Sequence, residues 1–375
     1  MLTIGLLMIF SASAPTVANK VEYNSDAFFF VKRQLAWIFV GGILSIFMFI
    51  FPLNFFKKNS FLFLSIGLFF LLIIAIEAVF KINLPFVIER NGAVRWIDVG
   101  VTEIQIVEFI KLAYIIYASA WLTSIEKEIK KSSSTEDHVK IILKFLIPLG
   151  IVSLLVLAQR DLDTTAILVL TIFSIFFVAF NEKIYTLAIV SLLILSFSVG
   201  LLAIQLEDYR AQRFQGYLEI ILNGEPSDES ARDQNFQTWS GIIAIGSGGI
   251  FGKGYTESRT KHGFLQEAAY TDSIFAVIGE EFGIFGSLIV IGCFLYLSKV
   301  GVDIAKNCSD KFGSLVAVGI TSWISIQAYL NIAANLSVIP FGGIPLPFLS
   351  YGGSSVIALL MATGLLLNIS RIRNI

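Results

Sequence analysis

Charge is what this sequence lacks most. Asp, Glu, Lys and Arg supply 15% of 375 residues, whereas AVILMFWYC supply 56%, against roughly 25% and 45–50% (Gly included in the latter) in ordinary soluble domains. A soluble globule is excluded, because 34 Phe together with the Leu, Ile and Val exceed what the interior of such a chain can hide. A surplus of positive charge is also missing: 27 Lys and Arg stand against 28 Asp and Glu, so nothing advertises nucleic acid as a partner. Cysteine and histidine are scarce, at two each. Cys293 sits in an apolar run and Cys308 beside Lys306 and Asp310, so neither a disulfide scaffold nor a zinc site is indicated. Met1 to Phe10 carries no basic leader, which argues against a cleavable signal peptide.

What is present is a series of long apolar runs, near residues 1–14, 34–52, 59–80, 107–124, 143–158, 164–180, 184–204, 272–298, 312–338 and 351–370. Lipid offers no partner to an unpaired backbone group, and the runs are too uniformly apolar for barrel strands, so ten transmembrane helices are predicted. The expected fold is an all-α integral membrane protein with a single polytopic domain over 1–375. The first run is shorter than the roughly 20 residues a bilayer requires, which suggests a truncated start. Lys127, Lys130, Lys131, Lys140 and Lys144 share one connection, Lys299, Lys306 and Lys311 another, and Arg371 and Arg373 end the chain on that same side. That side is assigned to the cytoplasm with both termini in it, in a cytoplasmic (inner) membrane. Connections 81–106 and 205–271, the second the largest, then lie outside, with Phe236 to Ile250 expected to rest in the membrane interface.

Polar residues inside apolar runs are costly and therefore informative. Glu108 and Lys111 stand at i, i+3 on one helix face, with Gln105 one turn earlier. An ion pair that packs one helix on another and a lining for a wet cavity are both open, the second preferred. Arg160, Asp161 and Asp163 interrupt two runs, as either a solvated hairpin or part of a site. Thr271 or Asp272 suits a helix N-cap, but Glu280 and Glu281, two turns deeper, need a partner or water.

The run Gly246-Ser-Gly-Gly-Ile-Phe-Gly-Lys-Gly254 is not a nucleotide loop: Ser247 stands where the first glycine is required and Gly254 where Ser or Thr is required. It permits tight backbone approach to a ligand, with Lys253 available to an anion. Residues 340–355 are apolar yet rich in Pro and Gly, so a re-entrant segment is expected, with Ser354 and Ser355 opening the last span.

In this order the segments GLLMIFSASA (5–14), NGAVRWI (91–97), QIVEFIKLA (105–113), AIGSGGIFGKG (244–254), YTDSIFAVIGEE (270–281) and PLPFLSYGGSS (345–355) resemble the SEDS family of bacterial shape, elongation, division and sporulation proteins, typified by FtsW and RodA. The resemblance spans nearly the whole chain. It implies a peptidoglycan glycosyltransferase that polymerises lipid II at the outer face of the membrane, partnered by a class B penicillin-binding transpeptidase and other divisome proteins. Ser11-Ala-Ser13 and the Tyr270 run look closer to the division branch than to a RodA-like elongation polymerase. Carried over residue by residue, the family's essential aspartate falls on Asp272, its fourth-span pair on Glu108 and Lys111, and a further aspartate on Asp161. Departures occur at Ile106 and Val107 and at Arg160, Asp163 and Gln266, which differ from the family's usual residues.

The reaction joins an acceptor sugar hydroxyl to an anomeric carbon that carries a lipid diphosphate, so it needs a base and an anion clamp. Asp272 is the expected base. Lys111, Arg210, Arg213, Lys253 and Lys261 are the expected cations, Lys111 first and oriented by Glu108, with Gln105, Glu280, Glu281 and Ser354 in support and a divalent cation, Mg or Mn, carried by the phosphates. No protein metal ligands are identified. A lipid II flippase or a scaffold that recruits a synthase are the alternatives; a flippase requires ionisable groups along the whole path, whereas these gather at the outer ends of spans.

Overall fold

The computed structural model describes residues 1–19, 26–90, 93–100, 102–131, 135–180, 215–219, 222, 236–262, 265–340 and 342–372. They form helices α1 (Leu2–Asn19), α2 (Phe29–Ile50), α3 (Leu53–Lys58), α4 (Ser60–Phe80), α5 (Ile106–Lys131), α6 (Thr135–Ala158), α7 (Leu162–Ala179), α8 (Phe236–Gly248), α9 (Ile274–Asn307), α10 (Lys311–Asn335) and α11 (Gly353–Ser370). Among the described residues, eight helices are long and apolar enough to cross a membrane, and Leu2–Val17 is a shorter apolar one. The span predicted at 184–204 lies outside the described residues. The chain is a mostly helical, multi-pass membrane protein.

Its described residues group into two compact units, Met1–Ala36 with Leu187–Tyr296 and Gln327–Gly352, and Trp37–Thr186 with Leu297–Ile326 and Gly353–Ile375. In the second unit, α5 buries Ile110, Leu112, Tyr114, Ile115 and Ala118. A Cβ on Gly67 of α4 would stand 2.1 Å from Ile110 Cδ1, so the Ile110 side chain of α5 packs into the space that Gly67 leaves.

One element departs from the all-helical expectation. Residues 81–106, predicted simply as a loop, contain an antiparallel sheet ordered β1 (Val87–Arg90), β2 (Ala93–Asp98) and β3 (Glu103–Gln105). Trp96 pairs with Gln105, and β3 runs directly into α5 at Ile106. Gln105 is therefore a strand residue rather than the helical residue one turn before Glu108.

Helix α9, whose Ile274–Tyr296 part belongs to the first unit, runs for 34 residues, about 51 Å of helix at 1.5 Å per residue, well beyond the roughly 30 Å hydrocarbon core. It is interrupted at Gly283, whose φ of 66° and ψ of −159° lie where essentially only glycine goes. The interruption releases carbonyls of the preceding turn, and the glycine run takes them up: Lys253 N donates to Glu280 O at 3.0 Å and Gly254 N to Glu281 O at 3.0 Å. The run's glycines thus serve approach to a helix: a Cβ on Gly252 would fall 2.1 Å from Glu281 O. A Cβ on Gly283 would meet Ile250 O at 2.4 Å. Gly283→Ala is accordingly expected to cost about 1–3 kcal/mol from backbone strain alone, read as a lower melting temperature in detergent.

Candidate active site

The first unit holds Asp272 at the turn just before α9. Thr271 N and Ser273 N both donate to Ala268 O, at 3.3 and 2.8 Å, which folds 268–273 back on itself. Tyr270 and Ser273 are buried, whereas Asp272 between them is half-buried. Three successive carbonyls of this turn are held by chain far away in sequence. Tyr270 O accepts from Tyr351 N at 2.8 Å, Thr271 O from Ser350 Oγ at 2.5 Å, and Asp272 O from Asn331 Nδ2 at 2.7 Å and Asn335 Nδ2 at 3.0 Å. Phe30 packs on Tyr270 at 4.5 Å and edge-on to Tyr351 at 5.1 Å, closing one side. Beside the carboxylate, Gly343 leaves room, since a Cβ there would stand 3.5 Å from Asp272 Oδ2.

The donors to this turn come from the segment that sequence marked as unable to continue a helix. Among the described residues of 336–352, where Pro340, Pro345 and Pro347 lie, none is helical. The segment's own carbonyls are satisfied by side chains: Asn331 Nδ2 donates to Ile344 O at 2.6 Å and Gln327 Nε2 to Pro345 O at 3.0 Å. Ser350 Oγ also accepts from Leu346 N at 2.8 Å. Gln327, Asn331 and Asn335 recur every four residues on α10, which puts them on one helix face. Sequence reasoning missed them. Three amides at i, i+4 and i+8 within an apolar helix were the available signal.

Deeper on α9, Glu280 and Glu281 are 0% and 1% exposed, and each has a lysine partner, although Glu281 Oε2 is buried without a hydrogen bond. Glu280 accepts from Lys253 Nζ at 2.6 Å, Ser258 Oγ at 2.6 Å, Arg259 N at 3.1 Å and Thr260 N at 3.3 Å, and from Thr260 Oγ1. Glu281 accepts from Lys261 Nζ at 2.9 Å and Ser11 Oγ at 2.5 Å, while Lys261 Nζ also donates to Thr256 O at 2.7 Å. The loop 253–261 is thereby wrapped around two carboxylates and tied to α1. Both lysines expected to meet a diphosphate therefore already have a carboxylate partner. Lys261, 3% exposed, is enclosed and neutralises Glu281. Lys253 pairs with Glu280 while keeping 29% of its side chain exposed.

In the second unit, Lys111 Nζ and Glu108 Oε1 form an ion pair at 2.7 Å with side chains 3% and 4% exposed. The ammonium also lies 4.8 Å from the Trp323 ring centroid, a cation–π distance. Asp161 is buried and caps α7, accepting from Thr164 N at 3.1 Å, with Arg95 Nε at 3.8 Å from its other oxygen. Arg95, carried by β2, also donates to Arg160 O at 2.6 Å, so this corner is an anchored turn and not a solvated hairpin. Gln105 and Ser354 meet, the Gln105 N–H donating to Ser354 Oγ at 2.9 Å. Arg210 and Arg213 lie outside the described residues. Among the described residues, no three His, Cys, Asp or Glu side chains gather to hold a metal ion.

A half-buried carboxylate at the head of a helix long and apolar enough to span, braced by a non-helical segment, defines a polytopic membrane protein with a built polar centre. The family model described as cell cycle protein (FtsW, RodA and SpoVE) matches residues 1–375, and the chain belongs to that family. It is 37% identical over 374 residues to stage V sporulation protein E of Bacillus subtilis, covering 99% of this chain and 94% of that one. It is 34% identical over 369 residues to a probable peptidoglycan glycosyltransferase FtsW of Taylorella equigenitalis, covering 97% and 94%. The fold is similar to the rod shape determining protein RodA of Thermus thermophilus, with a TM-score of 0.66, 22% identity and coverage of 100% and 94%. A chain from a structure titled as a peptidoglycan synthase complex coordinating polymerization and crosslinking matches with a TM-score of 0.70, 22% identity and coverage of 99% and 96%.

Proposed function

We propose that this protein is a peptidoglycan glycosyltransferase that polymerises lipid II at the outer face of the cytoplasmic membrane during septal wall synthesis, with both termini in the cytoplasm and a class B transpeptidase as partner. Relatives named peptidoglycan glycosyltransferase FtsW at about one third identity over nearly the whole chain support the activity. The observation that carries the reading at residue level is the contrast in burial: Glu280 and Glu281 are enclosed and ion-paired with Lys253 and Lys261, whereas Asp272 is only half-buried.

Asp272 is the general base. The acceptor hydroxyl donates its proton to the carboxylate as its oxygen attacks the anomeric carbon, and the bond to the lipid diphosphate breaks with the electron pair leaving on the phosphate oxygen. The developing negative charge calls for a fixed cation; Lys111, 3% exposed and already matched by Glu108 at 2.7 Å, is no more open to it than Lys261. A divalent cation carried by the diphosphate would add positive charge at the leaving group. Buried ionisable groups distributed to both ends of the spans would favour lipid transport, but those of α9 are compensated in place.

Purified protein supplied with fluorescent lipid II, with and without its transpeptidase, tests the reading. Glycan ladders on a gel are expected. Transbilayer movement of lipid II without polymer would favour the flippase, and neither activity would favour a scaffold.

A further inference from the structure

We infer that Asn331 is a positioning residue for the Asp272 carboxylate, acting with Asn335 and Ser350 through the backbone of the turn rather than through substrate. The inference rests on the assignment of Asp272 as base and adds residues that assignment does not contain.

Each buried backbone carbonyl needs a donor. In the first turn of α9, Ala276 N and Val277 N both donate to Ser273 O. The carbonyls of Tyr270, Thr271 and Asp272 lie ahead of that ladder. Each is instead taken by a donor from 331–351. Asn331 uses its amide twice, on Asp272 O at 2.7 Å and on Ile344 O at 2.6 Å, so one buried side chain fixes the turn to the non-helical segment. Asn335 adds a second donor to Asp272 O at 3.0 Å and is itself tied to Asn331 O at 2.9 Å.

Burial sharpens this. Asn331 and Asn335 are 1% and 2% exposed, so neither offers a surface to a sugar or a lipid. Asn335 Oδ1 is buried with no partner, a costly acceptor that an apolar residue of similar size would avoid. What the amide provides in return is its donor side, and that side points at the backbone of Asp272. A base works only within about 2.6–3.2 Å of the proton it takes, and a displacement of about 1 Å is enough to lose about 100-fold in rate. A turn with three carbonyls outside the helix ladder is free to pivot unless such donors hold it.

The test is steady-state polymerisation of fluorescent lipid II by full-length purified Asn331→Leu, close in size and without donors, beside Asp272→Asn and the wild type. The expected result is a fall in kcat of about 10- to 100-fold, with KM and lipid II binding within about two-fold and the melting temperature in detergent near wild type. A merely structural role would instead lower stability and amount of active protein, leaving the kcat of the folded fraction unchanged, and that result would overturn the inference. Should Asn331→Leu fail to fold, Ser350→Ala, which removes one hydroxyl, is judged by the same split between kcat and KM. If Asp272→Asn is inactive while the folded clamp variants keep wild-type kcat, this inference alone is wrong; if Asp272→Asn is fully active, the base assignment is wrong and the inference goes with it.

Discussion

Asp272→Asn is expected to lower lipid II polymerisation by about 10²- to 10⁴-fold, the range that a positioned general base contributes. The substitution exchanges one carboxylate oxygen for an amide nitrogen and leaves the shape alone. The backbone bonds that hold the turn through the carbonyls of Tyr270, Thr271 and Asp272 and the N–H groups of Thr271 and Ser273 are not altered by the substitution. The variant should therefore elute and melt as the wild type does while forming almost no glycan. A comparable loss accompanied by unfolding would instead point to a structural duty for the carboxylate.

The second large effect concerns stability. Lys261→Met is expected to cost about 3–5 kcal/mol, because it removes the cation from a buried pair and leaves the Glu281 carboxylate uncompensated. The side chains of Lys261 and Glu281 are 2% and 0% exposed, so water cannot take the place of the ammonium. Ser11 Oγ still donates to Glu281 Oε1, but a hydroxyl supplies no net charge. Pairing Lys261→Met with Glu281→Leu should recover most of the loss, since an apolar replacement of a whole buried pair is often close to neutral. Thermal unfolding in detergent measures both variants. A Lys261→Met protein as stable as the wild type would show that Glu281 is not held as a charged partner.

The membrane architecture was legible because lipid imposes a simple rule: backbone must be paired within its own segment, so each long apolar run among the described residues becomes a helix. The need of Glu280 and Glu281 for partners was legible on the same grounds. Their identity was not. Lys261 and Ser11 reach Glu281 across sequence separations of 20 and 270 residues, and a single sequence does not reveal such pairs. The glycine run shows a related limit: its composition announced close approach, but not that the approach is to the carbonyls released where α9 breaks at Gly283. The sheet over 87–105 was missed because its strands are short, and a bulge between Ile88 and Glu89 further breaks the two-residue alternation. Asn331 and Asn335 were overlooked inside an apolar run, although their spacing from Gln327 carries the stripe openly.

The central claim is that the Asp272 carboxylate faces the exterior, where an acceptor sugar can reach it while the donor stays anchored in lipid. Site-directed labelling tests this most directly: Cys293→Ser and Cys308→Ser remove the two native thiols, and Thr271→Cys adds one beside the carboxylate. In sealed spheroplasts, a membrane-impermeant maleimide is predicted to label this protein without permeabilisation. Labelling that appears only after the membrane is opened would place the turn in the cell interior and contradict the account.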